Sequence, residues 1–180
     1  TKSVLSEYSH LFDDGLGNLE GEVNIHLKDN SVPVVHAPRR IPHALRDRLK
    51  EELTAMETTG VIAKVTEPTD WVNSLVVVEK PNGKLRICLD PKDLNLAVKR
   101  PHYAMPTLED ALAKIPGAKY FSKLDAKSGY WQMTLSTKAS YLTTFNSPFG
   151  RYRFLRMPFG LISAQDDFQR RMGETFEDVP

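Results

Sequence analysis

From Pro42 onward, apolar residues recur at helical spacing: Leu45, Leu49, Leu53 and Met56 share a face, while Arg46, Arg48, Lys50 and Glu51 fill the others. This spacing predicts an amphipathic helix with Pro42 in its first turn and Gly60 as its C-cap. The period then drops to two. The stretch WVNSLVVVEKPNGKLRICLD predicts two strands joined at Asn82-Gly83, a dipeptide that readily takes the positive φ angles of a tight hairpin turn. Alternation along the second strand puts Lys84, Arg86, Cys88 and Asp90 on one face and Leu85, Ile87 and Leu89 on the other. One face is therefore core and the other charged, and a charged face by itself is compatible with simple solvation.

Beyond a Pro-rich basic loop, VKRPHYAMP, Thr107 and Asp110 form a capping box for a short helix. Leu108, Ala111, Leu112 and Ile115 are its expected buried stripe, and Pro116-Gly117 ends it. AKYFSKLD predicts a strand running into Asp125, and WQMTLS alternates so that Trp131, Met133 and Leu135 face one way. YLTTF and RYRFL predict a strand pair around SPFG. A last helix from about Ser163 sets Phe168, Met172 and Phe176 four residues apart. Residues 1–41 mix charge, Gly and Pro and read as a connector, leaving 42–180 as the folded part. Hairpins and helices without a regular βαβ rhythm predict an α+β fold with largely antiparallel sheet.

Composition narrows the classes. A chain of 180 residues that is 41% hydrophobic can build one core or two small lobes sharing one. The net charge of +1 means that affinity for a polyanion must come from local basic clusters. A single cysteine, Cys88, excludes an internal disulfide and a thiolate zinc site, which fits an intracellular, cytoplasmic setting. No apolar run approaches the roughly 20 residues of a membrane helix, so no membrane partner is expected. TKSVLSEYSH lacks the features of a signal peptide and TFEDVP carries no stop signal, so the expectation is a piece cut from a longer chain. Neither GxGxxG nor GxxxxGK[ST] occurs, which removes the usual phosphate cradles.

The chemistry centres on FSKLDAKSGYWQ. Asp125 sits beside Leu124, and if buried it needs a hydrogen-bond donor, a basic partner or a metal. Asp166-Asp167 is a second acidic pair, but it opens a helix, where adjacent side chains diverge by about 100° and acids are favoured by the dipole. That pair reads as structural. Arg151, Arg153 and Arg156, interleaved with Phe149, Tyr152 and Phe154, suit a nucleic-acid backbone or an exposed base. A half-buried strand shows the same alternation.

Three blocks in order, GVIAKVTEPTDWVNSLVVVEKPNGKLRICLDPKDLN, GAKYFSKLDAKSGYWQ and FGRYRFLRMPFGLISAQDDFQRRM, resemble the reverse transcriptases of gypsy-like LTR retrotransposons. The resemblance covers about residues 57–175 and implies an incomplete right-hand polymerase fold, fingers plus partial palm, with antiparallel sheet and packed helices. It implies RNA-directed DNA polymerase chemistry: two Mg²⁺ ions, with Mn²⁺ as an alternative, assisting transfer of a deoxynucleotide from a dNTP to a primer on an RNA or DNA template. By the same likeness Asp125 is a catalytic metal ligand, joined by the carbonyl of Ala126. Tyr130 matches the gate that excludes a ribose 2′-hydroxyl. Arg86 and Lys80 match the holders of the incoming triphosphate, although Lys80 also suits a solvated turn. Phe159 and Gly160 match the loop beside the nucleotide, and Gln169 the helix position facing the template. Asp90 and Asn95 match positions near the template strand, a turn-stabilising pair being the plain alternative, and Arg151 and Arg153 join them in the template-primer region. Where many relatives have N-A-P-A-x-F, this chain has Ser163-Ala164-Gln165-Asp166-Asp167-Phe168. No YxDD hairpin occurs in residues 1–180, so the resemblance implies that the other metal carboxylates lie further on and that this piece alone is inactive. Protease, ribonuclease H and integrase neighbours are implied in the parent chain, within the cytoplasm or a virus-like particle. The rival reading is a decayed or domesticated derivative that binds nucleic acid or protein without chemistry.

Overall fold

The computed structural model describes residues 6–12, 15–113 and 115–178. The first long helix forms where periodicity puts it: α1 (Arg46–Thr58) follows a 3-10 turn at His43–Leu45 and buries Leu49, Leu53 and Met56. Gly60 ends it at φ +69°, its N–H donating to the Glu57 carbonyl at 3.1 Å while Val61 N–H reaches the Met56 carbonyl at 2.8 Å. The helix packs on β2 (Ile62–Lys64) and on β4 (Leu85–Asp90).

Strand β3 (Ser74–Glu79) pairs antiparallel with β4, Val78 opposite Arg86 and Leu75 opposite Leu89. Leu85, Ile87 and Leu89 are buried and Arg86 is exposed, as the alternation requires. The turn differs from expectation in one respect. Of Asn82 and Gly83 only Gly83 takes a positive φ, and Lys80 N–H donates to the Lys84 carbonyl at 2.8 Å, so the loop spans three residues instead of two. The Asn82 carboxamide oxygen accepts from Lys84 N–H at 3.1 Å and so stiffens this longer turn.

A second sheet has the order β2-β7-β6, all antiparallel, with β6 (Phe145–Ser147) and β7 (Gly150–Phe154) joined by the SPFG turn. YLTTF is not a strand throughout. Ser136 accepts from Ala139 N–H and caps a helix, α4 (Thr137–Leu142), so β6 begins only at Phe145; α2 and α3 lie earlier in the chain, at Lys92–Ala97 and Leu108–Ala113. Asn73, buried, donates to the carbonyls of Leu142 at 2.8 Å and Thr144 at 3.0 Å, tying the hairpin to the second sheet. WQMTLS is also only partly strand: Gly129–Gln132 is a 3-10 turn and β5 (Thr134–Leu135) follows, with Met133 and Leu135 buried.

Residues 15–41, read as a connector, lie along this body through regular backbone bonds. β1 (Glu22–Val23) pairs parallel with β5, Lys99 N–H donates to the His26 carbonyl, and Val72 N–H donates to the Val34 carbonyl. Residues 1–5, 13 and 14 of that stretch lie outside the described residues.

Two expectations are overturned, one of burial and one of a strand. The capping box forms, Asp110 N–H donating to the Thr107 hydroxyl at 3.1 Å, yet Leu108, Leu112 and Ile115 are exposed; the Ala111 side chain lies outside the described residues. Residues 118–125 form no strand, with Phe121 71% and Leu124 82% exposed, and no described strand pairs with them. In α5 (Ala164–Thr175) the buried side chains are Ala164, Asp166, Asp167 and Arg171, while Phe176 is 54% exposed. The polar edge of this helix is the inner one because it meets charged and carbonyl partners there: Arg100 Nε donates to Asp166 at 2.6 Å, and Arg171 donates to the carbonyls of Glu20, Gly21 and Glu22.

Candidate nucleotide-binding cleft

One cleft of about 750 Å³ gathers residues from well-separated parts of the chain, α1 and α5 among them through Glu52, Phe168 and Met172. The hairpin contributes Lys80, Lys84 and Arg86; the run before the 3-10 turn contributes Asp125 and Ala126; the turn itself contributes Tyr130; and the loop before α5 contributes Phe159. A volume of this size suits a nucleotide-sized ligand. Alternation along β4 points Arg86 into the cleft, since its neighbours Leu85 and Ile87 are committed to the core.

The aromatic wall is ordered by mutual packing. The Tyr130 ring lies 5.0 Å from that of Phe159 and 5.6 Å, edge-on, from that of Phe168. The Arg86 guanidinium stands 5.7 Å from the Phe159 ring centroid, a cation over a π face. Gly129 is required by the same packing, because a Cβ there would come within 2.9 Å of the Phe168 ring. Gly160 has a structural reason of its own. At φ +108°, its Cβ would fall 2.1 Å from the Leu89 carbonyl oxygen, so only glycine lets the loop lie against β4.

Asp125 is exposed at the rim, and among the described residues no side chain donates to or pairs with its carboxylate. Because the carboxylate is exposed, water can solvate it and the need for a buried partner does not arise; among the described residues it stands open to an outside ligand. The donors available for a cation are hard oxygens, this carboxylate and the neighbouring Ala126 carbonyl, which suit Mg²⁺ by kind but fall short by number. No group of three or more His, Cys, Asp or Glu able to hold a metal occurs among the described residues. These residues fit one part of a divalent-metal site.

The other residues singled out in the sequence lie elsewhere. Asp90 is ion-paired with Arg39 of the connector, and the neighbouring Asp93 meets His36 at 2.7 Å. Asn95 bonds to the 160–162 backbone. Arg151 Nε donates to Asn146 at 3.2 Å, and Arg153 donates to the Ser140 hydroxyl at 2.6 Å while lying 4.5 Å over the Tyr141 ring. Both arginines sit on the β6–β7 side and neither lines the cleft. Gln169 is half-buried and also outside it. Conversely, Lys84, Phe168 and Met172 line the cleft without having been singled out for it. Lys84 was legible, because it shares the charged face of β4 with Arg86; Phe168 both packs against the core and faces the cleft, which its helical spacing alone does not announce.

Charges outside the cleft are compensated unevenly. Burial pushes the Asp167 carboxyl up from its ordinary value, and nearby Arg170 and Arg171 offset this only in part. The Tyr141 hydroxyl, in contrast, donates to Glu67 and holds that exposed carboxyl down at about 2.

Residues 78–180 match the family described as reverse transcriptase (RNA-dependent DNA polymerase). The Caenorhabditis elegans protein K02A2.6 is 34% identical over 171 residues, 93% of this chain and 13% of that protein. The retrovirus-related Pol polyprotein from transposon 412 of Drosophila melanogaster is 33% identical over 195 residues, 99% of this chain and 15% of its own length. The enzymatic polyprotein of cauliflower mosaic virus (strain Strasbourg) is 32% identical over 157 residues, 86% and 23% of the two lengths. Among solved structures, prototype foamy virus protease-reverse transcriptase superimposes with a TM-score of 0.86 at 20% identity, covering 99% of this chain and 24% of that one. The foamy viral enzyme in complex with an RNA/DNA hybrid gives 0.85 at 19% identity. The likeness to those two is one of fold, and the chain spans between 13% and 24% of the length of all these relatives.

Proposed function

The chain belongs to the reverse transcriptase family, and from that premise we propose that residues 42–180 are the fingers and part of the palm of an RNA-directed DNA polymerase in a longer Pol-type protein. The observation that carries the reading is the meeting of Asp125, Arg86, Tyr130 and Phe159 in one cleft, although up to 73 residues separate them in sequence.

Each side chain has a task that its surroundings support. Arg86 offers a planar donor fork to the triphosphate of an incoming dNTP, and Lys80 and Lys84 add compact positive charge at the hairpin. Tyr130, backed by Phe159 and Phe168, cannot retreat, so its ring would fill the space that a ribose 2′-hydroxyl needs. Asp125 and the Ala126 carbonyl would hold divalent cations, Mg²⁺ with Mn²⁺ as an alternative, alongside carboxylates from further along the parent chain. Such ions, when bound, activate the primer 3′-hydroxyl and stabilise the departing pyrophosphate. The template would be RNA or DNA paired to a primer, a reading in keeping with the foamy viral enzyme's complex with an RNA/DNA hybrid.

Primer extension by the parent polymerase tests this. Asp125→Asn is expected to lower extension on an RNA template by at least about a hundredfold, the scale at which removal of one transition-state-stabilising group acts, with the melting temperature unchanged. Extension at the unmodified rate would remove Asp125 from the reaction.

A further inference from the structure

We propose that Asn95 is the positioning residue that sets the Phe159–Tyr130 contact, and with it the sugar selectivity of the cleft, by clamping the loop that follows Phe159. Asn95 lies in α2, anchored by Leu94 and Ala97 in the core. Its carboxamide spans the loop with both ends. The nitrogen donates to the Gly160 carbonyl at 2.9 Å, and the oxygen accepts from Ile162 N–H at 2.9 Å. One donor and one acceptor, two residues apart on the main chain, are what a single Asn side chain can bridge.

The clamp works with a second attachment. Leu89 N–H donates to the Phe159 carbonyl at 3.1 Å, and Gly160 lies against the Leu89 carbonyl so closely that no side chain fits between them. The loop is therefore held to β4 on one side and to α2 on the other, with Phe159 at the attachment. From there the Phe159 ring reaches both Tyr130 and the Arg86 guanidinium. If α2 released the loop, the Leu89 bond and the buried Met157 and Leu161 would still hold its ends, but the Gly160 carbonyl and the Ile162 N–H would lose their shared partner, and the gate would acquire play. The acceptor and one donor of Asn95 are committed to this task, which leaves a single N–H for any template.

This inference rests on the cleft being the nucleotide site, and the test separates the two. In the parent polymerase, hydrogen exchange of the Ile162 amide and the ratio of kcat/KM for dNTP over rNTP are measured for Asn95→Ala, Asn95→Asp and Phe159→Ala. For Asn95→Ala the Ile162 amide should exchange about tenfold faster, the scale of one lost hydrogen bond. Its discrimination against ribonucleotides should fall by about the same factor, with dNTP KM rising more than kcat falls. Asn95→Asp keeps the acceptor for Ile162 N–H but sets a carboxylate oxygen against the Gly160 carbonyl. It should retain protection at Ile162 and still lose discrimination, and it serves as the second variant if Asn95→Ala fails to fold. Full discrimination in both Asn95 variants while Phe159→Ala loses it would overturn the clamp and leave the cleft intact. Full discrimination in all three would overturn the clamp and the nucleotide site together.

Discussion

Phe154 and Phe121 are the same side chain in opposite circumstances: the first is 0% exposed between two sheet strands and α4, the second 71% exposed on an unpaired run. Around Phe154 other elements close in, with Phe145 5.3 Å away ring to ring and Ile62 across the ladder. Around Phe121, residues 103–124 present Leu108, Leu112, Ile115, Tyr120 and Leu124 to the same side of the account, all exposed. Apolar pattern is equally strong in the two regions. What differs is the presence of a second surface, and burial is a property of pairs of surfaces.

The contrast can be broken most forcefully at its packed end. Phe154→Ala should cost roughly 3–5 kcal/mol by denaturant unfolding, because the void lies among closed neighbours that cannot collapse into it; a cost below about 1 kcal/mol would show that the core is looser than its burial suggests. A charged position sharpens it next. Burial raises the Asp167 carboxyl, so the unfolded chain gives up this proton more readily than the folded one, and above both values the buried charge opposes folding. Asp167→Asn should therefore raise the melting temperature at pH 7 by up to about 3 °C. The gain should shrink as pH falls and vanish below the ordinary value of 3.8, where both states hold the proton. A gain that is constant with pH would trace to something other than charge. The smallest effect belongs to the exposed region: Phe121→Ala should change stability by less than about 0.5 kcal/mol, and a loss approaching that of Phe154→Ala would mean that the run is packed after all.

How far the chain could be read in advance follows from the same contrast. α1 and the β3–β4 hairpin were legible because each is specified within about 20 residues, by period, cap and turn residues acting together. α4 had its signal too, in Ser136, but the β-branched residues of YLTTF outweighed it. The inversion of α5 was not legible, since Arg100 and the carbonyls of Glu20, Gly21 and Glu22 come from 66 to 151 residues away, and no local pattern announces them. The cleft stood between these cases. Periodicity put Arg86 on a charged face, but only resemblance to a family named Asp125, Tyr130 and Phe159 as its companions. The clamp of Asn95 on the loop, like the pairing of Asp90 with Arg39, depended on contacts that sequence spacing does not contain.

The meeting of Gly160 with the Leu89 carbonyl carries a lesson about how this cleft could evolve. There, beside Phe159, two stretches of main chain lie in van der Waals touch, and the genetic code offers no residue smaller than glycine with which to bring them closer. Drift in side chains can repaint the walls, trading one ring or charge for another, but drawing the loop that carries Phe159 nearer to β4 would demand that the polypeptide take another route.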